Sequence, residues 1–287
     1  GQRFVTLLEN HPWFELVAVA ASPRSAGKTY EEAVGGRWKM KTPMPEAAKK
    51  LVVLNVNQVE EVAAQVDFVF SAVDMSKDEI RAIEEAYAKA EVPVVSNNSA
   101  HRWTPDVPMM VPELNPEHAE IIPYQRKRLG TKRGFIAVKP NCSIQSYTPA
   151  LHALREFEPT LVVATTYQAI SGAGKTFKDW PEMIDNVIPY IAGEEEKSEQ
   201  EPLRIWGKIE DGVIKKAEGP LITTQCIRVP VEDGHTAAVF VNFKKKPTKE
   251  EIIDRWNNFS GEPQKLNQAH QSSSSATWRK TTVRRYT

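Results

Sequence analysis

At 287 residues the chain is long enough for two domains. Its 37 basic side chains balance 37 acidic ones, so no global field points to nucleic acid or to a membrane surface. Two cysteines, Cys142 and Cys226, are too few for a disulfide framework and suit a reducing, cytoplasmic compartment; no apolar run reaches bilayer length, and the opening residues lack a signal-peptide pattern.

In chain order, "GQRFVTLL" reads as a helix preceded by a lone glycine, Gly1. "FELVAVAAS" (14–22), "VDFVFSAVD" (66–74), "VPVVSNNS" (92–99) and "GFIAVKPN" (134–141) read as buried strands, and "KDEIRAIEEAYAKA" (77–90) as an amphipathic helix between two of them. Strands alternating with helices predict a parallel sheet whose polar carboxyl ends, such as "SAVDMS" with Ser71, line a ligand crevice.

The pattern changes after Cys142. "PTLVVATTYQAIS" (159–171), "PLITTQCIRVPV" (220–231) and "HTAAVFVNFKK" (235–245) read as longer strands, the last two joined through "EDG" into an antiparallel hairpin. The polar stretch 178–209 reads as helical, giving this half α+β character. The close, "QAHQSSSSATWRKTTVRRYT" (268–287), has no apolar periodicity and reads as a disordered tail.

Chemistry centres on "PNCSIQS" (140–146). Ser143 opens "SIQSYTPALHALREF", whose spacing predicts a helix, so Cys142 is expected near a helix N-terminus that favours a thiolate. A buried structural cysteine is the competing reading. A thiol needs a base, and His235 opens a strand directly after a turn; Arg228, in the strand before that turn, suits a planar carboxylate.

"PNCSIQS", "YQAISGAGK", "GEEEK" and "RVPVEDGHT", in that order, resemble the aspartate-β-semialdehyde dehydrogenase family in its archaeal and fungal branch; "ASPRSAGK", "SNNSAHR" and "MMVPELNPEH" do so too. The resemblance implies an NADP-binding Rossmann-type α/β domain over 1–141, an α+β catalytic and dimerisation domain over 142–267, and an aberrant tail over 268–287. It implies Cys142 as nucleophile toward the aldehyde, His235 as acid–base partner, and Gln168 orienting the acyl group. Arg228 would hold the substrate carboxylate and Glu194 its ammonium, Lys197 and Arg102 would supply cations for phosphate, and Asn141 joins the substrate-binding set. NADP would meet Gly1, Ser22, Arg24, Ser25 and Ser71, with Gly172 and Gly174 leaving room for the nicotinamide. The absence of an acid in "ASPRSAGK" favours the 2′-phosphate of NADP over a free ribose hydroxyl. A homodimer or homotetramer is implied, with small-molecule substrates, no metal, and a place in lysine, threonine and methionine synthesis.

Two departures from the family are visible. Of its GxxGxxG loop only Gly1 remains, and the close differs so completely that a reading-frame shift is expected there. On that reading the chain as it stands should be aggregation-prone and inactive. Two rival functions share these residues: a malonyl-CoA reductase of the same fold, disfavoured by Glu194, and a non-catalytic fragment that keeps only the dimer surface.

Overall fold

The computed structural model describes residues 1–266; the tail at 268–287, with the expected frame shift, lies outside the described residues. Two compact units are present. Unit 1 comprises Gly1–Met109, His118–Lys139 and Ile209–Ile214; unit 2 comprises Met110–Glu117, Pro140–Lys208 and, of the described residues, 215–266.

In unit 1, β1 (Val19–Ala21) pairs in parallel with β2 (Val53–Asn55), and β3 (Val69–Ser71), β4 (Val94–Ser96) and β5 (Ile136–Val138) form a second parallel sheet in that order. Each of the four runs expected to be strands contains one, but only three residues long. Apolar runs mark burial, whereas a strand also needs a neighbour in register. The strand β2, within "LVVLNVN", was not foreseen.

The helix Lys77–Lys89 starts where Ser76 and Glu79 cap each other, the Glu79 N–H donating to Ser76 Oγ at 3.3 Å and the Ser76 N–H to Glu79 Oε2 at 2.9 Å. It buries Ile80, Glu84, Tyr87 and Ala88 on one face. Gly134, leading into β5, lies so close that an added Cβ would sit 1.8 Å from the Ala88 carbonyl oxygen. A cavity of about 470 Å³ is lined by residues of both sheets, among them Val19 and Phe70, and by Phe68 and Tyr87. Phe4 stacks on Phe70 with ring centroids 4.6 Å apart.

Unit 2 is built on β6 (Pro159–Gln168). Its other long strands are β9 (Leu221–Arg228) and β10 (Thr236–Phe243), and before β9 the chain forms a short ribbon, β7 (Lys208–Glu210) with β8 (Val213–Lys215), most of which belongs to unit 1. The expected hairpin of β9 with β10 is not formed. The order is β10-β6-β9, with β6 parallel to β9 and antiparallel to β10. The link 229–235 bridges two strand spacings, roughly 10 Å. It crosses the end of β6, where the Val229 N–H donates to the Gln168 carbonyl at 3.0 Å and the Ile170 N–H to the Val231 carbonyl at 2.9 Å. Arg228 and His235 therefore meet at the end of β6 rather than across a hairpin.

Only Glu194–Ile205 of the stretch expected to be helical is an α-helix. Pro181 and Pro189 interrupt the earlier part, which instead lays Ile188 against β9: the Ile188 and Arg228 main chains exchange hydrogen bonds of 3.0 and 2.8 Å. One face of the sheet is exposed and carries Val163, Tyr167, Leu221 and Phe240, the last 57 % exposed. Among the described residues no helix is long and apolar enough to cross a membrane.

Candidate active site

Five of the expected residues lie where unit 2 brings the ends of β6 and β9 beside the start of helix Glu194–Ile205. Gln168 and Arg228 are register partners at the two strand ends. Alternation turns both side chains to the buried face, where Gln168 is 1 % and Arg228 6 % exposed. Gln168 Nε2 donates to Thr166 Oγ1 at 3.2 Å and to Glu194 Oε2 at 3.5 Å. Lys197, one turn along the helix, bonds Glu194 Oε1 at 2.7 Å. Burial alone would raise the Glu194 carboxyl. The Lys197 ammonium and the Asn141 and Gln168 amides outweigh it, so Glu194 stays below the usual carboxylate range and is charged at neutral pH. Burial pulls the Arg228 guanidinium below its ordinary value, opposed chiefly by the Glu194 charge.

Cys142 does not start a helix as expected. Residues Ile144–Ser146 make a 3₁₀ turn, Tyr147 leaves the helical region at φ −134°, and a separate short helix, Thr148–His152, follows. Pro149 has no N–H to continue a helical ladder from Gln145. The loop is held by side chains instead. Asn141 Oδ1 accepts from both the N–H and the hydroxyl of Ser143 at 2.7 Å, its Nδ2 donates to Glu194 Oε2 at 2.9 Å, and its own N–H donates to buried Glu201 at 2.5 Å. Asn141 thus fixes the loop and the Glu194 carboxylate together.

This bracing leaves Cys142 exposed, with Sγ 3.3 Å from His235 Nε2. The other ring nitrogen, Nδ1, accepts the Ala169 main-chain N–H at 3.0 Å, and the Ala169 carbonyl accepts from Arg228 Nη1 at 2.7 Å. Cys226 is fully buried, its sulfur 3.5 Å from Ser198 Oγ. An exposed thiol beside an imidazole has what a nucleophile needs, whereas a buried one packs as a small hydrophobe.

Gly172 lies against two of these side chains. A Cβ there would lie 2.9 Å from Arg228 Nη1 and from His235 Cε1, so the glycine makes room for these two side chains. Gly174, with φ 67° and open space around it, ends the 3₁₀ turn Ile170–Ala173, its N–H donating to the Ser171 carbonyl at 2.9 Å.

Unit 1 carries the remaining expected residues. Ser22, Arg24 and Ser25 form the turn after β1, with the Ser25 N–H on the Ser22 carbonyl at 2.9 Å and Arg24 exposed. Two hydroxyls and a guanidinium with no carboxylate among them form a donor set that fits a phosphomonoester, and so the 2′-phosphate of NADP. Ser71 is buried at the end of β3, and the hydroxyl expected to face the cofactor donates instead to Glu84 Oε1 at 2.6 Å, as does Ser96 Oγ. Gly1 caps helix Gln2–Leu8, with nothing near enough to require a glycine there. Arg102 is buried, its Nε bonded to the Lys139 carbonyl at 3.0 Å.

Sequence reading missed Glu84, Glu201, Thr166 and Ala169. Their roles depend on which main-chain or hydroxyl group lies opposite, and no motif signals that. Glu84 could have been suspected as the lone acid on the apolar face of its helix.

Residues 1–122 match the model of the semialdehyde dehydrogenase NAD-binding domain, and residues 150–275 that of the semialdehyde dehydrogenase dimerisation domain. The chain is 39 % identical over 267 residues to aspartate-semialdehyde dehydrogenase of Methanothermobacter thermautotrophicus, covering 93 % of this chain and 74 % of the relative. The Aspergillus fumigatus enzyme is 40 % identical over 272 residues, covering 93 % and 73 %. Among solved structures, aspartate semialdehyde dehydrogenase with NADP from Candida albicans superposes with a TM-score of 0.79 at 34 % identity, over 93 % of this chain and 75 % of that one.

Proposed function

The chain belongs to the aspartate-semialdehyde dehydrogenase family, and on that premise we propose how its residues share the reaction. The activity is the reversible, NADP-dependent oxidative phosphorylation of aspartate β-semialdehyde to aspartyl β-phosphate, in amino-acid biosynthesis. The observation that carries the assignment of roles is the exposed Cys142 sulfur facing the His235 ring, with Arg228 and Glu194 at the neighbouring strand and helix ends.

Cys142 adds to the aldehyde carbon and is acylated when hydride leaves. When bound, NADP accepts that hydride. Phosphate releases the acyl group, and Gln168 orients it while it is attached to sulfur. Arg228 grips the α-carboxylate with two parallel N–H donors, and the charged Glu194 receives the α-ammonium. Asn141 and Lys197 brace Glu194 for that task, and Lys197, with Arg102, attracts phosphate. Ser22, Arg24 and Ser25 hold the 2′-phosphate of NADP. The exposed apolar sheet face with Val163, Tyr167 and Phe240 meets a second copy, giving a homodimer or homotetramer, and the enzyme works in the cytoplasm.

The test is substrate discrimination. The Glu194→Gln variant should lose preference for aspartate semialdehyde over the same aldehyde lacking the amino group, by roughly tenfold or more, the scale of a charged hydrogen bond. Unchanged discrimination would remove Glu194 from the ammonium site.

A further inference from the structure

The strand β9 lies at one edge of its sheet, so every second residue turns its main-chain groups away from β6, where no strand meets them. The Val229 N–H donates to the Gln168 carbonyl on β6, which turns the N–H groups of Thr224, Cys226 and Arg228 outward. None of the three is left open. The Thr224 N–H donates to Glu199 Oε1 at 3.0 Å, the Cys226 N–H to Glu195 Oε1 at 3.5 Å, and the Arg228 N–H to the Ile188 carbonyl at 2.8 Å. The Thr224 hydroxyl adds a bond to the Glu195 carbonyl at 3.2 Å.

The two carboxylates reach the strand because two periods agree. Residues four apart rise ~6 Å along a helix, and outward N–H groups two residues apart are separated by about 6.6 Å along a strand. Glu195 and Glu199, on one helix face, therefore match Cys226 and Thr224 in reverse chain order. Slipping to the next match would carry the helix about 6.6 Å along the strand. Glu194 directly precedes Glu195, and Arg228 follows Cys226 by two residues, so the same register sets how far one charged group stands from the other.

We propose that Glu195 and Glu199 are positioning residues: by binding the edge N–H groups of β9 they hold the helix at the one register in which Glu194 and Arg228 together span an α-amino acid group. This inference rests on the reading of Arg228 as the carboxylate site and Glu194 as the ammonium site. Glu195 and Glu199 act through Glu194 and not on the substrate. Glu196, between them, is exposed and takes no part.

The test uses the full chain with Glu199→Leu, which removes the acceptor and keeps a good helix former, and with Glu199→Gln, which keeps an acceptor. Amide hydrogen exchange at Thr224 should quicken roughly tenfold in Glu199→Leu, while that at Val229, bonded to β6, stays as in the parent. In assays, Glu199→Leu should lose roughly fivefold of its preference for aspartate semialdehyde over the same aldehyde lacking the amino group. The loss should lie in the KM for aspartate semialdehyde, with kcat and the KM for NADP little changed. Glu199→Gln should restore most of both readouts, and Glu196→Gln should match the parent in all of them. If Glu199→Leu does not fold, Thr224→Val, which removes only the hydroxyl bond to the Glu195 carbonyl, should show a smaller loss of the same kind. Unchanged exchange at Thr224, unchanged preference, or an equal loss on both aldehydes would overturn the proposal. Glu194→Gln separates the two levels. If it loses the preference and Glu199→Leu does not, the positioning role alone fails; if it keeps the preference, the ammonium reading fails and the proposal with it.

Discussion

Unit 1 ends β3 and β4 on Ser71 and Ser96, whose hydroxyls both donate to the buried Glu84 carboxylate. Unit 2 ends β6 and β9 on Gln168 and Arg228, whose polar atoms meet Glu194 and the Ala169 carbonyl, beside the His235 ring and the exposed Cys142 sulfur. Both follow the rule that polar residues gather at the carboxyl ends of strands. In unit 1 the donors and acceptors largely cancel, and the result is a staple between strands. In unit 2 a sulfur is left exposed with an imidazole facing it, and the result is a candidate site. Residue type alone does not separate the two cases; the partner atoms do.

The sharpest way to break that contrast is to remove the exposed sulfur. Cys142→Ser should lower turnover by roughly a thousandfold or more, since a hydroxyl is far less ionised near neutral pH, with the fold intact by circular dichroism. Cys226→Ser, altering the buried thiol, should leave turnover within a few-fold. The reverse ranking in steady-state assays would exchange their roles.

Arg228→Lys keeps the charge and loses the planar fork, and it also weakens the bond to the Ala169 carbonyl. A loss of about 1–3 kcal/mol in kcat/KM is expected. Gly172→Ala tests the same corner by bulk. Its Cβ must displace either the Arg228 guanidinium or the His235 ring, costing on the order of 1 kcal/mol or more in kcat/KM. Normal kinetics in the alanine variant would mean that both side chains can move aside freely.

The smallest effect separates the units by pH. In unit 2, His152 is half-buried, accepts the Trp206 indole N–H at Nδ1, and is pushed down to about 4 by burial and by the Arg155 charge. The fold disfavours its charged form, so the stability it contributes is full above its ordinary value near 6.5 and is lost as pH falls through about 4. In unit 1, Glu91 accepts three main-chain N–H groups from Lys132, Arg133 and Gly134 and is held down at about 2. Its contribution is full above its ordinary value of 4.5 and is lost only as pH falls through about 2. Acid should therefore loosen unit 2 first. Amide hydrogen exchange followed from pH 7 downward should show earlier loss of protection around His152 and Trp206 than around Glu91, and the opposite order would contradict these couplings.

Much of this was legible beforehand. The strand runs of unit 1 announced themselves by composition, and the spacing of 77–90 marked a helix that forms over Lys77–Lys89. Cys142, His235 and Arg228 were singled out from local wording and basic chemistry, and they converge. Strand order in unit 2 was not legible, because the turn "EDG" gives the same local signal whether its strands pair with each other or straddle a third. The helix after Cys142 failed on Pro149, whose missing N–H outweighed the apolar spacing. Gly172 was expected to clear space for a ring of the cofactor, and that it clears space for His235 is a contact only coordinates can show.

The central claim is that the exposed sulfur, and not the buried one, carries the acyl group. Mixing the protein with aspartate semialdehyde and NADP in the absence of phosphate, then quenching in acid and mapping peptides by mass, tests it most directly. The account predicts one acyl adduct on the peptide containing Cys142, none on that containing Cys226, and its discharge when phosphate is added before the quench. Reduced cofactor formed with no adduct on Cys142, or an adduct on Cys226, would contradict it.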